Sequence, residues 1–127
     1  MDRNYILEKL EEIIAEDKRY RLEAYVFIMH ALDMAVSRKT EPGHVSGQEL
    51  LGGVSVYGKH LFGPTARMVF EHWGVHETED FGNIVFNLVG AGILSTSDAD
   101  KPDDFAGVYD FGEVFDRQYE WKIEDPL

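Results

Sequence analysis

The side chains that could do chemistry here are five histidines and a surplus of carboxylates, so the first question is which of them their spacing could bring together. His30 and Asp33 lie three residues apart in a segment that reads as helix, a spacing at which side chains meet. Such a pair can act as a base with its orienting carboxylate, or as a satisfied hydrogen bond on the wet edge of a helix. The second use is favoured, because no candidate nucleophile is fixed near them in the sequence. His72 and His76, flanked by Glu71, Glu77 and Glu79, have the four-residue spacing of a metal pair. Gly74 stands between them at a helix stop, and Trp73 takes the place where a zinc protease carries its glutamate. No metal is therefore expected there, and His44 and His60 could complete such a site only through tertiary contact.

Three further motifs fail on inspection. The run from Gly53 to Gly58-Lys59-His60 approximates a phosphate-cradling loop, but His60 replaces the hydroxyl that would bind magnesium, and a capped helix precedes the run where a strand should. Asp98, Asp100, Asp103 and Asp104 suggest a calcium loop. Counted from Asp98, the central glycine position is Asp103 and the closing glutamate position is Tyr109. Asp-Phe-Gly occurs at 80–82 and 110–112 without the strand lysine and catalytic loop that a kinase needs. No catalytic residue, metal ligand or cofactor is assigned, and the balance leans away from an enzyme.

The chain has 127 residues, of which 44% are hydrophobic and 13% aromatic, enough for one domain with a substantial core. It contains no cysteine, which excludes disulfides, thiolate metal sites and cysteine nucleophiles. No stretch approaches the length of a membrane span, and the N-terminus lacks an apolar signal core, so a cytoplasmic protein is expected. Net charge is −12, from 24 acids against 12 Lys and Arg. A field of that sign repels phosphate backbones and anionic membranes.

Residues 5–17 read as an amphipathic helix, with Ile6, Leu10, Ile13 and Ile14 on one face. Residues 20–38 read as a second helix, apolar on every side from Ala24 to Met29, which places it mid-core. Ser46 and Glu49 form a capping box that opens a third, with Leu50, Leu51, Val54, Tyr57 and Leu61 inward. Gly52, Gly53 and Gly58 interrupt that helix, and each costs up to about 1 kcal/mol against Ala, so close approach of another helix is expected. Pro64 starts a helix carrying Ala66, Val69, Phe70 and Trp73, and Gly74 stops it. Thr78 or His76 caps the next, whose buried face is Phe81, Ile84, Val85 and Leu88, with Asn83 and Asn87 on the other side. Gly92 ends it. Ile93-Leu94 then reads as a strand, Ser95–Asp104 as an acidic loop, and Phe105 to Phe111 as the returning strand. Helix, strand, wing and strand in that order predict an α+β fold: a mainly helical, winged-helix-like domain with two added N-terminal helices and a small C-terminal β-hairpin. Its parts would be the helical pair 5–38, the winged part 46–111 and a tail 112–127 that docks on its own domain or, alternatively, on a partner.

The residues His44-Val45-Ser46-Gly47-Gln48-Glu49-Leu50-Leu51, Phe62-Gly63-Pro64 with His72-Trp73-Gly74, Asp80-Phe81-Gly82-Asn83-Ile84-Val85-Phe86, and Asp104-Phe105 with Tyr109-Asp110-Phe111 carry a resemblance. On them the chain resembles a small family of uncharacterised bacterial proteins of about this length. The likeness spans most of the chain and implies no activity, because none is assigned to the family.

The sequence thus favours a non-catalytic protein-interaction or regulatory module. Its expected contact residues are the acidic loop Asp98, Asp100, Asp103 and Asp104 and the tail aromatics Tyr119 and Trp121, facing a protein partner with a basic surface. Two alternatives stay open. One is nucleic-acid binding through a basic face built from Lys18, Arg19, Arg21, Arg38 and Lys39, because helix 78–91 has no Lys or Arg. The other is a small enzyme or metal protein using His30 with Asp33, or His72 with His76. A membrane is not expected as a partner, and self-association remains open.

Overall fold

The computed structural model describes residues 3–39, 45–95 and 102–117. Five helices account for most of them: α1 (Arg3–Glu16), α2 (Leu22–Arg38), α3 (Gly47–Phe62), α4 (Ala66–His72) and α5 (Thr78–Gly90). Short 3-10 turns at Gly63–Thr65 and Pro102–Phe105 and a wide helical turn at Gly112–Arg117 complete the set.

The all-round apolar character of α2 is what puts it at the centre. Ala24, Tyr25, Phe27, Ile28, Ala31, Leu32 and Ala35 are buried, and α2 packs against α1, α3 and α5. The second focus is Phe70 of α4, whose ring centroid lies 5.2 Å from Phe27, 5.3 Å from Phe81 and 5.2 Å from Phe115. Rings at these separations, mostly edge to face, gain quadrupole attraction on top of area burial. The chain folds back around one aromatic side chain from each of α2, α4, α5 and the C-terminal turn.

Local signals operate as the sequence says they should. Ser46 Oγ accepts from the Glu49 N–H at 3.0 Å while the Glu49 carboxylate accepts from the Ser46 N–H, so two otherwise unpaired donors of α3 are satisfied. Gly74 sits at φ +93° after α4, where the Val75 N–H returns to the Phe70 carbonyl and the Gly74 N–H to Glu71. A Cβ at Gly74 would also stand 2.0 Å from the Arg19 carbonyl oxygen, so glycine is required twice over. Of the three glycines expected to interrupt α3, Gly58 admits the Phe70 ring of α4, which a Cβ would meet at 2.7 Å; a Cβ at Gly53 would be in ordinary contact with Ala31 and Ala35 of α2, and Gly52 faces open space.

The expected C-terminal β-hairpin is not there: among the described residues there is no strand, and the fold is all-helical rather than α+β. Residues 96–101, the middle of the supposed wing, lie outside the described set. On its near side, the N–H groups of Ile93 and Leu94 both turn back to the Leu88 carbonyl, at 3.0 and 3.3 Å, around Gly92 at φ +80°. That is a helix C-cap with its following apolar residues, which from sequence looks the same as a strand start. On the far side, the alternation of Phe105, Tyr109 and Phe111 is not a ladder. Phe105 drops into a slot left by two glycines, since Cβ atoms at Gly82 and Gly47 would come within 2.7 and 2.9 Å of it. Tyr109 donates to the Leu51 carbonyl at 2.8 Å, and Phe111 joins Phe70, Phe81 and Phe115. The backbone here is tied by Thr78, the one buried polar or charged residue among those described. Its hydroxyl donates to the Phe105 carbonyl at 2.6 Å and accepts from the Val108 N–H at 3.2 Å. Neither Thr78 nor His76 therefore caps α5. The N-cap is Glu77, and Asp80 at the third helical position accepts from the His76 and Glu77 N–H groups. Asp110 closes the last turn by accepting from the Glu113 N–H at 3.0 Å.

Candidate functional site

Among the described residues, those with catalytic spacing form no buried or shared cleft site. His30 and Asp33 are both exposed on α2. His72 ends α4, and His76 lies past the Gly74 stop; both are exposed. His60 is exposed on α3, and His44 lies outside the described residues. Among the described residues no group of three His, Asp or Glu side chains is placed to hold a metal ion. Of the expected contact residues, Asp103 is exposed and Asp104 is half-buried, whereas Asp98, Asp100, Tyr119 and Trp121 lie outside the described residues.

A polar cluster does form where the sequence does not announce one, between the α1–α2 linker and α5. Tyr20 donates to Asp80 Oδ1 at 2.6 Å and accepts from Asn83 Nδ2 at 2.9 Å. Asn87 Nδ2 reaches both Asp17 Oδ2 at 2.9 Å and the Tyr25 hydroxyl at 3.0 Å. Asp17 in turn takes two bonds from the Arg19 guanidinium, at 2.9 and 2.7 Å. This fork holds the Asp17 carboxyl far below the usual carboxylate range, opposed by burial and assisted by Asn87. Burial first, then the bond to Asp80, pushes the Tyr20 phenol well above its ordinary value. A general acid or base must reach substrate and titrate near the working pH. Tyr20, 2% exposed and firmly protonated, does neither. The cluster is a clasp. It also turns the amide side of α5 inward, so the helix that would read a nucleic-acid groove has Asn83 and Asn87 already engaged.

The basic residues are equally dispersed. Lys18, Arg19 and Arg21 precede α2, while Arg38 and Lys39 end it, roughly 25 Å away at 1.5 Å per residue. Arg19 is held by Asp17, and Lys39 pairs with Glu49 at 3.1 Å. They do not make one face.

Among the described residues, one open surface is mainly apolar. A groove of about 330 Å³ runs between α2, the C-terminal half of α3 and the end of α4. Its floor is Phe27, Tyr57 and Trp73, and its lips are Val26, His30 and Leu61. Small residues bring α2 and α3 together near Gly53, whereas farther along the stacked rings of Phe27 and Tyr57, 5.3 Å apart, fill the space between them. The groove opens at that end. Val26 remains 38% exposed and Leu61 47% exposed, although both fall in segments whose pattern assigns them to the core. The signal available in the sequence was excess: α2 and α3 carry more large apolar groups than their neighbours can cover. Two other clefts carry several charged side chains. One of about 390 Å³ between α1 and α5 is lined by Lys9, Glu12, Glu16 and Asp17. The other, of about 500 Å³, adjoins the groove at Trp73 and is lined by Lys18, Arg21, Glu71 and His72.

No protein-family model, curated protein or solved structure matches the chain. Among the described residues, no helix is long and apolar enough to cross a membrane.

Proposed function

We propose that the protein is a non-catalytic interaction module that takes an apolar segment of a partner protein into the groove between α2, α3 and α4. The observation that carries this reading is the exposure of Val26 and Leu61 above a floor of Phe27, Tyr57 and Trp73. Contiguous apolar surface left open on a folded domain marks a contact site more often than chance, and a concave one offers anchor pockets. The dispersed histidines support no competing catalytic geometry. The engaged face of α5 and the separated cations weigh against a nucleic-acid role. Site-specific photo-crosslinkers placed at Val26 and Leu61 test the reading in the native cell. The expected result is one shared protein adduct from both positions and none from Met68, which is 69% exposed and does not line the groove. Equal capture from Met68, or different adducts from Val26 and Leu61, overturns it.

A further inference from the structure

Resting on the interaction reading above, we propose that the groove's occupant is an amphipathic helix whose apolar stripe is flanked by Lys or Arg. The walls argue for a helix. Both long walls are α-helices, whose backbone groups are bonded within their own turns, so an extended peptide would find no sheet edge to pair with. A helix satisfies its own backbone and needs only side-chain pockets. The lengths agree. From Leu22 to His30 the groove follows α2 for roughly 12 Å, and anchors at i and i+7 of a bound helix lie roughly 10 Å apart.

The charge argues for basic flanks. Glu23 lines the groove, and among the described residues no Lys or Arg does. Asp33, seven residues after Val26 and so on the same face of α2, is exposed just beyond His30. The apolar strip along α2 is thus bracketed by two carboxylates roughly 15 Å apart along the helix, in a chain whose net charge is −12. Lys18, Arg19 and Arg21 line the adjoining cleft, which shares Glu23 with the groove; there Arg19 is bonded to Asp17, and Glu71 also lies. A segment with acidic flanks would meet like charge at Glu23 and Asp33, whereas basic flanks would be drawn to these two carboxylates.

Fluorescence anisotropy on the whole chain tests this with two labelled synthetic helical peptides that share one Leu stripe, one flanked by Lys and the other by Glu. At low ionic strength the Lys-flanked peptide is expected to bind at least about tenfold more tightly than the Glu-flanked one. Val26→Ser and Leu61→Ser should each weaken it by about tenfold, and Glu23→Gln with Asp33→Asn by about threefold, while Met68→Ser leaves it unchanged. Thermal melts by circular dichroism confirm that each variant is folded. Equal binding of the two peptides, failure of both to bind, or insensitivity to Val26→Ser and Leu61→Ser overturns the proposal. If the peptides bind alike while cross-linkers at Val26 and Leu61 still capture one common partner, the charged-helix inference falls and the interaction reading stands.

Discussion

The two faces of α2 meet opposite fates. At its N-terminal end and toward α5, Tyr20, Tyr25, Asp17, Asn83, Asn87 and Asp80 close into a clasp, and among the described residues no buried side-chain nitrogen or oxygen lacks a partner. Toward α3 and α4, Val26, Leu61, Tyr57 and Trp73 border a groove that nothing in the chain's described residues fills. A satisfied polar cluster is costly to disturb, because removing one member strands another in a place water cannot reach. An open apolar lip costs little to change, because it contributes little to folding. The contrast separates what the fold needs from what it can spare for a partner.

That contrast can be broken at its stiffest point first. Gly74→Ala should cost about 3 kcal/mol or more, since the residue needs a positive φ and its Cβ would strike the Arg19 carbonyl in the linker that carries the clasp. Urea denaturation measures this, and a loss below about 1 kcal/mol would mean that the linker yields freely. Tyr20→Phe keeps the ring but strands Asp80 Oδ1 and the Asn83 amide, for an expected loss of about 1–3 kcal/mol in the same assay.

Asp17→Asn should cost about 1–2 kcal/mol near pH 7, and this loss carries a pH signature. The folded-state pKa of Asp17 is depressed by Arg19, so its stabilisation is present above the unfolded value of about 3.9 and is lost as pH falls below it toward the folded value. The gap between wild type and variant is therefore expected to be widest at neutral pH and to narrow by about pH 3. A gap independent of pH would place the effect in packing alone. At the groove, Val26→Ser and Leu61→Ser should each change stability by less than about 1 kcal/mol. A larger loss at either would show that this lip belongs to the core, and the contrast between the two faces would dissolve.

Much of the local structure was legible because its causes are local. The Ser46–Glu49 box, the Gly74 stop and the buried stripe Phe81, Ile84, Val85 and Leu88 each depend on residues within two turns of one another. The wing was not, because Ile93-Leu94 and Phe105 to Phe111 carry patterns that two structures share. A C-cap with apolar followers looks like a strand start, and three aromatics bound for separate slots look like one face of a strand. Nor could the clasp be read. Tyr20 and Asn83 are 63 positions apart and Asp17 and Asn87 are 70 apart, so nothing near either amide names its partner. Asn83 and Asn87 look like an outer surface until the linker arrives to cover them.

Composition and periodicity alone settle an acidic chain without cysteine, the positions of its five helices, the Ser46–Glu49 cap, the glycine stop and the centrality of α2. Those features follow from backbone sterics, hydrogen-bond valence and apolar area, which each residue carries wherever it lies. Which apolar residues end up covered is a different kind of fact. Val26 and Phe27 are neighbours of similar hydrophobic character, yet Phe27 is 4% exposed and Val26 38%. Successive residues of a helix point about 100° apart, and Phe27 faces Tyr57, Phe70, Trp73 and Phe81, whose rings cover it. The groove is a property of that assembly, and no single segment holds it.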